Sequence, residues 1–173
     1  TFISHGSTKI ASLSEDSIKA FLQEASEIAG GQRKEMDSYS ITEYFMDHIA
    51  PEGQFRTTMR YNIPDMPENE RVLEMDKMNF ISNTLEGMHE MTARETLVKV
   101  EYVKIDPAGR NAEVVTTNYE RGMMPVADDS GDTNMMPVQG VSYCEQKLVL
   151  NDQRKIQMAN AKCTTDLSFS EGM

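Results

Sequence analysis

Apolar residues recur every three or four positions in three segments of the chain, which predicts three helices. The first helix follows Ser14, a favourable N-cap residue, and ends at Gly30. Its apolar face consists of Ile18, Phe21, Leu22, Ala25, Ile28 and Ala29. The second begins at a capping box in residues 40–43 and ends at residues 51–53. Its apolar face consists of Ile41, Tyr44, Phe45, His48 and Ile49. The third is predicted over residues 69–91. Its stripe consists of Met75, Met78, Ile81, Leu85 and Met88.

Elsewhere apolar and polar residues alternate, or β-formers cluster between turn residues, which predicts strands. Residues 54–63 alternate cleanly. One face carries Phe55, Thr57, Met59 and Tyr61, and the other carries Arg56, Thr58 and Arg60. Residues 95–105 and 111–122 flank the turn-forming sequence DPAGR and predict a hairpin. Residues 141–150 and 155–169 flank NDQR and predict a second hairpin. Helices precede most of the strands, which favours an α+β fold with helices on one face of an antiparallel sheet.

This element order resembles the nuclear-transport-factor-2-like superfamily, also called cystatin-like or SnoaL-like. The segment ITEYFMDHIAPEGQFRTTMRY is similar to the family's second helix and first strand, and RETLVKVEYVKIDPAGRNAEVVTTNYERG is similar to its central hairpin. The resemblance covers residues 13–170. It implies a cone-shaped roll, in which three N-terminal helices pack against a curved antiparallel sheet. We expect one domain over residues 13–173, after a flexible lead-in of residues 1–12 whose composition is small and polar.

The resemblance also implies where a ligand would bind, because members that act on small molecules use the inside of the cone. The side chains expected to line it are Tyr44, Phe55, Met59, Tyr61, Phe80, Met88 and Tyr119. Such a mostly apolar lining suits a small apolar ligand, and it equally suits a filled core. Enzyme members place an Asp or His inside the cone, and the inward positions from Phe55 to Tyr61 supply neither.

We therefore expect a non-catalytic binding or assembly domain rather than an enzyme. The alternatives are a small-molecule enzyme (an isomerase, cyclase or hydratase) and a hydrophobic-ligand carrier. For an enzyme, His48 and Tyr61 are the weak candidates for acid–base catalysis. Sheet faces in this superfamily often serve dimerisation, which implies a homodimer. The outward residues Arg56, Thr58 and Arg60 offer a polar contact surface for it.

Composition limits the partners of the protein. The chain has 173 residues, a size that fits one domain. Its net charge of −11 disfavours binding to nucleic acid and to anionic membrane surfaces. The mean hydropathy is −0.52, and no apolar run is long enough for a membrane span. No phosphate loop or other cofactor motif is present in the sequence, so we expect no cofactor.

The two cysteines lie in the last predicted hairpin. If Leu150 pairs with Gln157, residue numbers across the hairpin sum to 307, and Cys144 falls opposite Cys163. The same register places Leu148 opposite Ala159. Directly opposite residues lie close to disulfide reach. A disulfide favours a periplasmic or secreted protein, whereas two buried thiols would suit a cytoplasmic one.

A tetrapeptide, Met-Met-Pro-Val, occurs twice within residues 122–140, around an acidic stretch. Asp128, Ser130, Asp132 and Asn134 alternate as in a calcium loop, but Thr133 and Gln139 stand where that loop requires Gly and Glu. Four methionines could offer ligands to Cu(I): Met123, Met124, Met135 and Met136. We favour a structural interpretation without metal, in which a mobile acidic loop joins two strand ends.

Overall fold

The computed structural model describes residues 9–170, which form three helices and six strands. The helices are α1 (Glu15–Ala29), α2 (Ser38–His48) and α3 (Lys77–Gly87). The strands are β1 (Ile49–Asn62), β2 (Asn69–Asp76), β3 (Thr92–Ile105), β4 (Asn111–Ala127), β5 (Thr133–Leu150) and β6 (Ile156–Phe169). Among these helices, none combines the length and the apolar content needed to cross a membrane.

The strands form one curved, unclosed sheet in the order β2-β1-β6-β5-β4-β3, and the helices pack on one face of it. Four neighbouring pairs are antiparallel, while β1 and β6 run parallel. The predicted α+β fold is confirmed. The parallel pair joins strands that are distant in the chain, so no hairpin pattern indicates it.

α1 agrees with the prediction, whereas α2 differs from it at both ends. α1 begins after Ser14 as expected, and Ser14 and Ser17 form its capping box. The N-cap of α2 is Asp37, whose carboxylate accepts a hydrogen bond from the Ser40 amide at 2.8 Å. The capping box predicted in residues 40–43 is therefore wrong. α2 ends at His48, and β1 begins at once with Ile49, so residues 51–53 belong to a strand.

The helix predicted over residues 69–91 is wrong in its first third, because residues 69–76 form β2. This strand pairs with β1, where Met75 lies opposite Phe55 and Leu73 opposite Thr57. Asp76 then caps α3 by accepting a hydrogen bond from the Asn79 amide at 2.8 Å. The helical spacing of the methionines across this junction is coincidental, since Met75 packs from a strand and Met78 lies exposed on the helix.

The predicted disulfide between Cys144 and Cys163 is present. The register sum of 307 holds from Val138 to Lys147, but Leu148 pairs with Met158, and Leu150 with Ile156. A β-bulge after Lys147 accounts for this shift by one residue. The assumed pairs Leu150–Gln157 and Leu148–Ala159 are thus wrong. The predicted cysteine pairing is nevertheless right, because the one-residue shift at the bulge offsets the one-residue error in the assumed pairing of Leu150.

Residues 122–140 form the end of a long hairpin rather than a loop. The two Met-Met-Pro-Val copies pair across β4 and β5, with Met124 opposite Met136, and only residues 128–132 connect the strands. Asp128 closes this turn by accepting hydrogen bonds from the amides of Ser130 and Asp132. The two copies lie on strands as expected, but the connection between them is far shorter than expected.

Buried side chains form two clusters. The larger, here called the helix core, lies between the helices and one end of the sheet. It includes Ile18, Phe21, Ile28, Ile41, Phe45, Ile49, Val114 and Leu148. The smaller, here called the rim core, lies near the other end of the strands. It consists of Met91, Val138, Leu167 and Phe169, with Met59, Tyr61, Met124 and Met136 packed against them.

Hydrogen bonds already hold the chain in place before the predicted domain boundary at residue 13. The Ile10 amide donates to the Arg154 carbonyl at 3.0 Å, and Arg154 donates to the Ala11 carbonyl at 2.6 Å. Residues 9–12 of the predicted flexible lead-in therefore attach to the β5–β6 turn. Its residues 1–8, and residues 171–173, lie outside the described part of the chain.

Candidate functional site

The helix-facing side of the sheet carries a group of polar side chains beside the helix core. On β4 the even-numbered residues Ala112, Val114 and Thr116 are buried, so Asn118 continues the same face. The register then aligns Thr116 with Cys144, and Asn118 with Ser142 and Thr165. The set here called the polar band consists of Thr116, Asn118, Ser142, Gln146 and Thr165.

Most of the polar band is satisfied by hydrogen bonds within itself. The hydroxyls of Ser142 and Thr165 lie 2.7 Å apart, and Gln146 Nε2 donates to Thr116 Oγ1 at 3.3 Å. The exception is Asn118, whose Oδ1 is buried and accepts no hydrogen bond from the described residues. A buried acceptor without a donor costs free energy, so Asn118 is the point where a ligand's donor group would be favourable.

The two acid–base candidates are not brought together. His48 is 1% exposed, and its ring lies 4.5 Å from that of Tyr44 and 5.4 Å from that of Phe21. His48 Nδ1 is 2.7 Å from the Ile156 carbonyl, which can only accept, so Nδ1 carries a proton. Tyr61 belongs instead to the rim core, with its hydroxyl 3.6 Å from Met59 Sδ. The surroundings of His48 are those of a packing residue.

The seven expected lining residues fall into three groups. Tyr44 and Phe55 are buried in the helix core, where Phe80 and Met88 pack against it. Met59 and Tyr61 pack against the rim core. Tyr119 is misplaced by the prediction. It is odd-numbered on β4 and therefore lies on the outer face, 43% exposed.

Tyr44 carries a second buried polar group. Its hydroxyl makes no hydrogen bond with the described residues. Burial raises the pKa of this hydroxyl well above its usual value, and the nearby Glu24 carboxylate raises it further. Tyr44 therefore stays neutral at physiological pH and can act as a hydrogen-bond donor, but not as a base.

Sequence reasoning missed the polar band, although a signal was present. Once Cys144 is assigned to the inner face, residues two positions away must share that face, which gives Ser142 and Gln146. Thr165 follows from Cys163 in the same way. Within residues 9–170, no three side chains of His, Cys, Asp or Glu converge as a metal site would require.

No family model matches the chain, and no curated protein matches it. A nuclear-transport-factor-2-like protein of unknown function from Pseudomonas aeruginosa aligns over 87% of this chain and 95% of its own, with 8% identity and a TM-score of 0.52. A conserved protein from Planctomyces limnophilus aligns over 87% and 95%, with 12% identity and a TM-score of 0.51.

A third solved structure is that of an enzyme. A hexachlorocyclohexane dehydrochlorinase aligns over 91% of both chains, with 8% identity and a TM-score of 0.50. Identities this low carry the fold and not the activity. The resemblance inferred from the element order is confirmed as to fold, and the chain has the nuclear-transport-factor-2-like fold.

Proposed function

We propose that this chain is a non-catalytic binding and assembly domain, and that a second copy docks on the outer face of its sheet. The observation that carries the proposal is a row of exposed apolar side chains. Leu97, Tyr119 and Val141 are register partners on β3, β4 and β5, and they are 60%, 43% and 44% exposed. Tyr102 and Tyr143 extend this surface, here called the outer patch.

The charges around the outer patch favour a second copy as its occupant. Arg121 pairs with Glu95, its Nε lying 2.6 Å from the carboxylate, and Lys99 lies 3.8 Å from Glu101. Because these neighbouring charges are balanced, the net charge of −11 is not concentrated on this face. Two such faces can therefore approach without strong repulsion, and contiguous exposed apolar surface is typical of interaction sites.

The surface expected from Arg56, Thr58 and Arg60 is a weaker candidate. Arg56 donates to Glu74 at 3.2 Å, and Arg60 donates to Glu70 at 3.4 Å, in both cases across the β1–β2 pair. These arginines have partners within the chain, so a second copy would have to displace them. The outer patch lies on the opposite part of the sheet and requires no such exchange.

The test is the mass of the protein in solution. We expect two chains per particle by light scattering after size exclusion, and one chain per particle for Leu97→Glu. Met78→Glu is the matched control, because Met78 is 55% exposed on α3, away from the outer patch. The control should remain a dimer. A monomeric wild-type protein at micromolar concentration, or a dimeric Leu97→Glu variant, would refute assembly through this face.

A second candidate function is the binding of a small, mostly apolar ligand on the inner face. Asn118 favours it, because a ligand could satisfy the buried Oδ1 while its apolar body contacts the rim core. The polar band offers hydroxyls and amides for orientation but no carboxylate or imidazole. This composition supports a carrier more than an isomerase, cyclase or hydratase.

Native mass spectrometry of the purified protein tests this second function. We expect a copurified small molecule on the wild type and none on Asn118→Leu. The variant should also unfold at a higher denaturant concentration, because it removes a buried acceptor without a donor. A wild type without any bound molecule, together with a stabilised variant, would mean that the polar band belongs to an ordinary core.

We also propose an oxidising location, periplasmic or secreted, on the basis of the disulfide between Cys144 and Cys163. The cytoplasmic alternative predicts two thiols. Alkylation of free thiols in intact source cells, before lysis, separates the two. An unlabelled protein agrees with export, and a doubly labelled protein would exclude it.

A further inference from the structure

A cleft lies between the residues that follow α1, the residues that follow α3 and the start of β3. Its volume is about 460 Å³, and its lining is mostly polar. Among the described residues that line it, three are basic, namely Lys34, His89 and Arg94, and none is acidic. Glu35 and Glu90 adjoin lining residues in the sequence, but neither lines the cleft.

This charge distribution is unusual for the chain. Acidic residues outnumber Lys and Arg by 28 to 17, so the charged residues that line an average surface cleft should be mostly acidic. A cleft of the opposite sign attracts anions locally, even though the molecule as a whole repels them. The side chains that line the cleft can therefore offer positive charge to a small anion.

Arg94 is the most informative member, because it is partly buried and pairs with no carboxylate in the described part of the chain. Its Nη2 donates to the Gly87 carbonyl at 3.4 Å. Its Nε is buried and donates to no acceptor within residues 9–170. Gly30 makes room for this side chain, since a Cβ there would lie 2.8 Å from Arg94 Cδ. A buried guanidinium N–H without an acceptor is costly, and a carboxylate ligand would remove that cost.

The backbone beside Arg94 is strained. Ala93 has a φ of 50°, in the left-handed region that residues with a Cβ rarely adopt, and it lies at an irregularity in the β3–β4 pairing. Such strain persists where the surrounding structure enforces it, and it often occurs at binding sites.

We propose that this cleft binds a small organic carboxylate. Arg94 donates to the carboxylate from the floor of the cleft, and Lys34 adds positive charge at its edge. Met88 and Met91 contact the carbon skeleton. A purely structural role for Arg94 also exists, because α1 and α3 both end beside it and helix C-termini attract cations. In that role Nη2 donates to the Gly87 carbonyl, while Nε still has no acceptor among the described residues.

Titration of ¹⁵N-labelled protein with sodium succinate, at constant ionic strength, tests the site. We expect saturable shifts of the Gly31, Thr92 and Ala93 amides, and none with succinamide, which has the same shape without charge. Arg94→Gln should weaken succinate binding about tenfold or more, and Lys34→Gln severalfold. Arg71→Gln makes the same change in net charge on β2, at the opposite edge of the sheet, and should have no effect.

Several outcomes would overturn the proposal. These are the absence of saturable shifts, equal shifts with succinamide, or equal weakening by Arg71→Gln. Because Lys34 is exposed, its variant keeps the test decisive even if Arg94→Gln fails to fold. An Arg94→Gln variant that is destabilised but binds succinate unchanged would leave Arg94 with the structural role alone.

Discussion

Reduction of the disulfide should lower the free energy of unfolding by an amount that depends on the length of the loop it closes. Cys144 and Cys163 are 19 residues apart. Closing a loop of that length in the unfolded chain removes conformational entropy worth about 3 kcal/mol at 25 °C. The folded state changes little, because the two residues are already held opposite each other by the β5–β6 ladder. The reduced protein should therefore lose about 3 kcal/mol, or about 6–12 °C in Tm.

Guanidinium unfolding of the oxidised protein, and of protein reduced in denaturant and refolded with a phosphine, measures this difference. The reduced form should also show a steeper dependence on denaturant, because its unfolded chain is less compact. The double variant Cys144→Ala/Cys163→Ala is the control, and the phosphine should leave its midpoint unchanged. Equal free energies of unfolding for the oxidised and reduced forms would refute the entropic reasoning.

Two further predictions concern His48 and Asp37. His48→Phe should cost about 1–3 kcal/mol in guanidinium unfolding, because the buried Ile156 carbonyl loses its donor, while exposed His89→Phe should cost under about 0.5 kcal/mol. The Ser40 amide and hydroxyl hold the pKa of the Asp37 carboxyl below its usual value of 3.8, so the ionised form stabilises α2. Above pH 3.8 the wild type should therefore unfold at a higher denaturant concentration than Asp37→Asn. This difference in midpoint should disappear as the pH falls through the lower pKa that Asp37 has in the folded state. A difference that does not depend on pH would contradict the reasoning.

Local patterns predicted the elements that depend on local sequence. Ser14 and the apolar repeat after it located α1, and the alternation from Phe55 to Tyr61 located β1. β2 was missed because its Met75 fits the apolar stripe of a helix as well as the alternation of a strand. Only its pairing with β1 decides between these, and that interaction is tertiary.

The candidate sites depended on facts that local patterns do not contain. The phase of a strand decides which face each residue occupies, and an error of one residue placed Tyr119 on the inner face. The polar band results from the alignment of three strands, and the basic cleft from the meeting of two helix ends with β3. The disulfide was predictable because both cysteines lie in one hairpin.

The position of β6 has a consequence for how the protein folds. β6 is the last of the six strands in the chain, yet it lies in the middle of the sheet, between β1 and β5. Until β6 has left the ribosome, the strands already made can therefore form only two separate sheets, β2-β1 and β5-β4-β3. The edge of each sheet that β6 later joins stays open. Such contacts between distant parts of a chain form slowly, and open edges invite aggregation. The emerging chain should thus depend on chaperones until β6 closes the gap, and truncation before Ile156 should prevent folding altogether.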